Sequence, residues 1–357
     1  MGVSHAALHN LHDALPNDTH PPGTALDPAA GDDVLLEAQK RLLSTLLRLH
    51  QQQLLRPSTT MSLIRDFHNN VPVHRIRAAP LDDDTAKRWD TNLYTTISTI
   101  LDTPSSTQLQ TLIHLPQDLG GLGIHDVRIR RHAALLTAWR QTARHAHAEL
   151  SASTEHDWKL NNPITRTHIL HATAQLQPLT KLSLDVDWAH WIATPPQHKQ
   201  KQIMRDVYEH KHTQFLPTLT PTENAVTRSS GGKGAAAWMY PPADATTYMP
   251  RKHYLTALRY RVHAPITYTT SSNLCQHTNT KRTCLQPLDP KGHHALTCNI
   301  GGQPTQKHDH LRDILHRWLV AWGFFSQREQ RIPELDIVDE APLLSLAPWA
   351  RWPLVSG

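Results

Sequence analysis

The chain is short of several things, and each shortage excludes something. It has three cysteines in 357 residues. An odd number of thiols cannot pair evenly, which argues against a disulfide scaffold. No run of about 18 apolar residues occurs, so no segment reads as a membrane-spanning helix. The succession of basic, apolar and small residues that marks a secretory signal is missing at the start. The expected setting is therefore a reducing compartment, nuclear or cytoplasmic, and not a secreted one. Hydrophobic residues reach only 39% and aromatics 6%, while prolines number 26 against 14 glycines. That mixture predicts helical segments with modest cores, joined by proline-rich connectors. No internal repeat is found, which removes solenoids and propellers. The net charge of +5 and pI of about 9.1 permit a polyanionic partner without requiring one.

What is present reads mostly as helix. Residues 1–30, rich in His, Pro, Asn and Asp without periodicity, read as a disordered leader. Asp32 and Asp33 are expected to cap a helix whose stripe is Leu35, Ala38, Leu42, Leu46 and Leu49. The GDD string at 31–33 is read as this cap, because a leucine-rich helix follows it where a catalytic hairpin would need strands. A second helix is expected near 58–69. A third, capped by Asp84, carries Ala86, Trp89, Leu93, Ile97 and Ile100 on one face. A short helix at 105–114 leads to a turn at Gly120, Gly121 and Gly123. Asp126 then caps a long helix to about Leu150, in which Arg128, Arg130, Arg131, Arg140 and Arg144 crowd positive charge. Such a face is either solvated or laid along a nucleic-acid backbone. Residues 151–216 read as a helical connector, 217–235 as a linker of turn-forming residues, and Pro250 as the start of another helix.

All three cysteines fall between residues 275 and 298, with His293 and His294 just ahead of the last. Thiolates with an imidazole are the donors of a closed tetrahedral zinc site, Cys3His, which leaves no position for catalytic water. Eight residues separate Cys284 from His293 and four more precede Cys298; taking His294 makes these nine and three. Both histidines stay open as ligands. Cys275 is the least certain of the set, because its interval to Cys284 is longer than the two to four residues usual at such sites. The competing reading is three buried or free cysteines beside histidines that are common in this chain.

The run C…C…LDPKGHHALTC…GG…KHDHLRD (275–313) resembles the C-terminal region of reverse transcriptases from non-long-terminal-repeat retrotransposons. In the site-specific members a Cys-Cys-His-Cys knuckle precedes an R/K-H-N/D motif that opens a restriction-enzyme-like endonuclease. Lys307, His308 and Asp309 match that motif. SSGGKGAAAWMYPP (229–242) with HYLTALRYRVHAP (253–265) is similar to the segment before the knuckle, and LPQDLGGLGIHDVRIRRHAALLTAW (115–139) to the end of the polymerase thumb. The resemblance covers roughly residues 31–336 and its string H-A-L-x-C favours His294.

The expected class is therefore mainly α. A thumb-like helical domain (31–150) and a helical connector (151–216) are followed by the linker, a helix with a zinc knuckle (236–300) and a truncated α/β nuclease start (301–357). The implied function is binding of RNA or DNA by a remnant without polymerase residues, since no Y/F-x-D-D string occurs. Two alternatives stand beside it. One is a metal-dependent endonuclease using His308, Asp309, Glu334 and Asp336. The other is a helical interaction protein that zinc merely pins. No lysine follows Asp336, and phosphodiester cleavage needs carboxylates round an ion and usually a cation beside them. No catalytic residue is therefore assigned.

Overall fold

The computed structural model describes residues 28–78, 80–150, 163–184, 199–242, 248–266, 274–300 and 303–326. It separates into two compact units. The first runs to Thr270 and includes Pro290–Gly292; the second comprises Ser271–Asp289 and the chain from His293 onward. Both are mostly helical, and among the described residues no strand forms beyond isolated bridges.

The first unit holds α1 (Pro28–Gln51), α2 (Pro57–Asn70), α3 (Val73–Ala78), α4 (Asp83–Leu101), α5 (Thr107–His114), α6 (Val127–Leu150), α7 (Pro163–Leu176), α8 (Gln200–Phe215), α9 (Pro221–Ser230) and α10 (Arg251–Arg261). The central element is α4. Its Ala86, Trp89, Leu93, Ile97 and Ile100 are buried as the 3.6-residue period requires. The cap is Asp82, whose carboxylate accepts from the Thr85 N–H at 2.8 Å. That is two residues before the expected Asp84, and it leaves Asp83 and Asp84 in the first turn, where the helix dipole favours acids. The expected cap of α1 is also displaced. That helix begins at Pro28, and Asp32 lies inside it with its carboxylate 2.6 Å from Arg75 Nε.

Three apolar clusters fill this unit. One joins Leu43, Met61, Ile64, Leu93, Ile97, Leu112, Met239, Tyr254 and Leu258. A second joins Leu136 of α6 to Ile169, Leu176, Ile203, Val207 and Tyr208. A third sets Trp89 and Val127 beside Leu36 and Ile76. The expected connector and thumb segments thus share a core through α6. The expected linker at 217–235 is largely the helix α9. Thr220 and Glu223 form a capping box, with the Thr220 hydroxyl taking the Glu223 N–H and Glu223 Oε2 taking the Thr220 N–H at 2.9 Å. Val226 and Thr227 of this helix are buried.

Two glycine-rich strings meet in the first unit. Gly121 lies so close to Leu115 that an added Cβ would sit 2.0 Å from its carbonyl oxygen. At Gly120, φ is +91°, a conformation that L side chains rarely adopt. The Gly232 N–H donates to Asp118 O at 2.8 Å. Arg261 ties the strings together: Nε donates to Gly121 O (3.1 Å), Nη2 to Gln117 O (2.6 Å) and Nη1 to Ser230 O (2.8 Å).

In the second unit the chain doubles back over 274–287. Bridges link Leu274 with Pro287 and Thr278 with Thr283. At the turn, Asn279 Oδ1 accepts from the N–H groups of Lys281 and Arg282, each at 2.9 Å. The short helix α11 (His293–Thr297) and α12 (Gln303–Ala321) follow, and Gly323 stops α12 with φ +80°. The apolar residues expected on α12 are on it, but Leu311, Leu315, Trp318 and Leu319 are exposed. Residues 1–27 and 327–357, which carry most of the expected leader and most of the expected nuclease segment, lie outside the described residues.

Arg261→Met keeps the aliphatic stem and removes the donors, stranding carbonyls of an irregular loop. The expected loss is about 3 kcal/mol, measured as a lower urea midpoint. A midpoint equal to wild type would mean that the clamp contributes nothing.

Candidate metal centre

Cys275, Cys284, His294 and Cys298 converge. Their four potential ligand atoms all lie within 4.8 Å of one another. Cys275 Sγ is 3.8 Å from Cys298 Sγ, and Cys284 Sγ is 3.4 Å from His294 Nε2. A tetrahedral ion with metal–sulfur bonds of about 2.3 Å and metal–nitrogen bonds of about 2.0 Å sets S···S near 3.8 Å and S···N near 3.5 Å. The thiols are therefore spaced to share a metal ion and too far apart for a disulfide.

The backbone explains how the long first interval closes. Cys275 and Cys284 sit on opposite arms of the 274–287 turn-back. The Cys275 N–H donates to Gln286 O (2.8 Å), the Leu285 N–H to Cys275 O (3.0 Å) and the Cys284 N–H to His277 O (2.8 Å). Leu285 takes a left-handed φ of +50°, which carries the chain past Cys284. Asp289 then caps α11, accepting from the His293 N–H at 3.1 Å and the His294 N–H at 2.7 Å. This fixes the start of a five-residue helix and brings His294, of the two neighbouring histidines, to the thiols.

The thiols differ in environment. Hydrogen bonding from the Gln286 backbone draws Cys284 down to about 7, with the neighbouring thiols and His294 acting in the same direction. Burial pushes Cys275 up. Cys275 and Cys298 are 2% and 3% exposed, so the ion they would hold is shielded from solvent on that side.

The five arginines expected to line a nucleic-acid face do not form one exposed stripe. Arg131 and Arg140 are buried. Arg131 donates to Leu81 O and pairs with Asp83, and Arg130 donates to Asn69 O. Arg128 is half-exposed and pairs with Asp90 at 3.3 Å and Asp126 at 3.4 Å. The Arg144 side chain lies outside the described residues. Guanidinium groups already spent on carbonyls and carboxylates are not offered to phosphates. Of the expected nuclease residues, Glu334 and Asp336 lie outside the described residues. His308 is exposed and Asp309 half-buried, the two lie 3.5 Å apart, and Asp309 also pairs with Arg312 at 3.2 Å.

The sequence gives no hint of a second, buried cluster: Asp90, His114 and Asp126 also bring ligand-type atoms within 4.8 Å. Its charges are already matched. Lys211 Nζ is 3.1 Å from Asp126, Arg128 reaches both carboxylates, and His68 Nε2 lies 3.4 Å from Asp90. The two ring nitrogens of His114 meet the Tyr94 hydroxyl (2.6 Å) and Ile124 O (2.9 Å). An added cation would have to displace Lys211 and Arg128, so this is an ion-pair network under an open cleft of about 620 Å³. Burial alone would raise Asp126, but His114, Lys211 and Arg128 outweigh it and hold the carboxyl well below its usual range. Comparison with protein-family models, curated proteins and solved structures finds no match.

Two outcomes follow from this geometry. Purified protein should carry one metal ion per chain, and Cys284→Ser or His294→Ala should lose at least half of it while His293→Ala keeps it. Loss in His293→Ala with retention in His294→Ala would reverse the ligand assignment. Asp126→Asn takes from Lys211 its buried partner and from Arg128 one of its two, and should cost about 3–5 kcal/mol near neutral pH. Because the folded carboxyl is depressed, its contribution is present above the unfolded value of about 3.9 and fades as pH falls below it. The deficit of Asp126→Asn should therefore narrow below about pH 4, and denaturation midpoints across pH would show a constant deficit if the network were not ionic.

Proposed function

We propose that this chain is a zinc-stabilised nucleic-acid-binding protein, of the kind found at the C-terminal end of non-long-terminal-repeat reverse transcriptases, and that the metal is structural. The observation that carries the reading is the tetrahedral spacing of Cys275, Cys284, His294 and Cys298. Three thiolates and an imidazole are soft donors that do not suit magnesium or calcium. Zinc has no geometric preference of its own and takes such a set readily. Four protein ligands fill a tetrahedral shell and leave no open position for water or substrate. The ion's work is then to hold the 274–300 segment in one shape.

Nucleic acid is the proposed partner because the chain is basic and because the resemblance spans several motifs in a shared order. Contacts are assigned to the knuckle, where Lys281 and Arg282 stand exposed at the turn, in place of the arginines of α6. A side chain at such a tip keeps its donors in water and can exchange them for phosphates. The rival reading, a helical interaction protein pinned by zinc, is favoured by the burial of Arg131 and Arg140.

Elemental analysis of the purified chain should find zinc in equimolar amount, and stoichiometric iron or copper in its place would refute the assignment. Binding to a labelled single-stranded oligonucleotide should weaken with salt. Lys281→Gln and Arg282→Gln should each flatten the slope of log affinity against log salt by roughly 0.7. Affinity that ignores both salt and these substitutions would leave the interaction-protein reading standing.

A further inference from the structure

Helix α12 carries a continuous apolar stripe that no described residue of the second unit covers. Leu311, Leu315, Trp318 and Trp322 follow one another at offsets of four, three and four, the spacing of a single helical face. They are 58%, 48%, 58% and 72% exposed, and Phe325 beyond them is 89% exposed. With Leu319 and Phe324 the group exposes apolar surface on the order of 1,000 Å², given that a buried aromatic covers about 150–250 Å². The largest apolar patch of an ordinary monomer is about 300–600 Å². A standard interface uses about 800 Å² from each partner. The area is thus that of an interface.

No charge interrupts the stripe. The charged residues beside it are paired on their own helix: Arg312 lies 3.2 Å from Asp309 and 3.3 Å from Asp313, and Arg317 donates to Asp313 O at 3.2 Å. They neither attract a charged partner strongly nor repel a like one.

We propose that this face is the contact of a symmetric dimer in which α12 of one copy packs against α12 of another. Three considerations select a second copy as the occupant. The stripe from Leu311 to Trp322 is about 16 Å long at 1.5 Å per residue, and it is periodic as helix-on-helix packing demands. A matching helix needs a proline-free run of similar length. In the segment that follows Gly323, prolines at 333, 342, 348 and 353 leave no run as long as the stripe, so that segment does not supply a matching helix. Finally, the stripe complements itself when reversed. Antiparallel pairing about its centre sets Leu311 against the partner's Trp322 and Leu315 against the partner's Trp318, a small residue facing a large one at each level. Parallel pairing would instead stack tryptophan on tryptophan. A two-fold axis is what such an interface implies.

The test uses the full, metal-loaded chain. Light scattering coupled to size exclusion, with sedimentation from about 1 to 100 µM, should give a mass twice the 40.3 kDa of one chain. Leu315→Glu should weaken the dimer at least tenfold, with metal content and far-ultraviolet circular dichroism unchanged as the check on folding. Trp322→Ser, which removes the stripe's most exposed tryptophan without adding charge, should weaken it as well. A wild-type chain that stays monomeric at the highest concentration overturns the proposal. So does a dimer that survives both substitutions, or a larger assembly in place of a dimer. A monomer that binds no apolar dye would show the face covered by the chain's own residues and would equally overturn it.

Discussion

The shape of the second unit depends on four ligand atoms being held about one point. Among its described residues the only buried apolar side chains are Cys275 and Cys298. Described residues that bury so little hydrocarbon gain little from the hydrophobic effect to offset their chain entropy. Were a metal bound there, its binding energy would be folding energy, because the site exists only once the turn-back and α11 are in place. The thiols are suited to this. Cys284, drawn to about 7, gives up its proton easily near neutrality. Cys275, pushed up by burial, does so only against the charge of an ion. The hydrogen bonds of 275–287 and the Asp289 cap bring the four side chains together, and an ion bound there would close the set.

The first unit is held differently, by apolar packing around α4 and by a charge network at one of its buried faces. Asp90 sits beside Trp89 on α4, and both are buried. Its carboxylate accepts from the Val127 and Arg128 N–H groups at 3.3 and 3.4 Å, so it serves as the N-terminal anion of α6 from another helix. Asp126, at the expected cap position, is freed to pair with Lys211 and so ties α6 to α8. The chain joining α5 to α6 places its N–H groups on carbonyls of α5 and of its own turns, as with Leu122 N–H to Leu112 O (2.8 Å) and Ile124 N–H to Ile113 O (3.1 Å), and its own carbonyls need further donors. Arginines supply them: Arg65 donates to Leu122 O at 3.1 Å and Arg261 to Gln117 O and Gly121 O. Only glycine lets the backbone come as close as this arrangement requires.

Periodicity made α4 readable, because its apolar residues recur at three and four and are buried where they recur. It failed at α9, whose Pro, Thr, Asn and Ser look like a turn by composition. The Thr220–Glu223 capping box was the signal that composition hid. The four side chains of the candidate metal site were legible as residue types. The choice of His294, and the inclusion of Cys275, came from a cap and a turn-back that spacing does not display. Asp90 was invisible, since a single acid next to a buried tryptophan reads as one polar residue on a helix. The apolar residues of α12 were legible too, but periodicity says that a face is apolar and not what covers it.

The arginines of α6 show why charge counted along a sequence misplaces a binding surface. A guanidinium has five donors, and an irregular loop offers carbonyl oxygens that need them. Burial lowers Arg130, Arg131 and Arg140, which means that their surroundings disfavour the charge they carry. They keep it because hydrogen bonds to Asn69 O and Leu81 O and the pairing with Asp83 offset part of that cost at the first two. A phosphate at Arg131 would compete with its bonds to Leu81 O and Asp83. Any affinity for a polyanion must therefore arise from cations that remain in water in the folded chain, and Lys281 and Arg282 at the tip of the knuckle are such a pair.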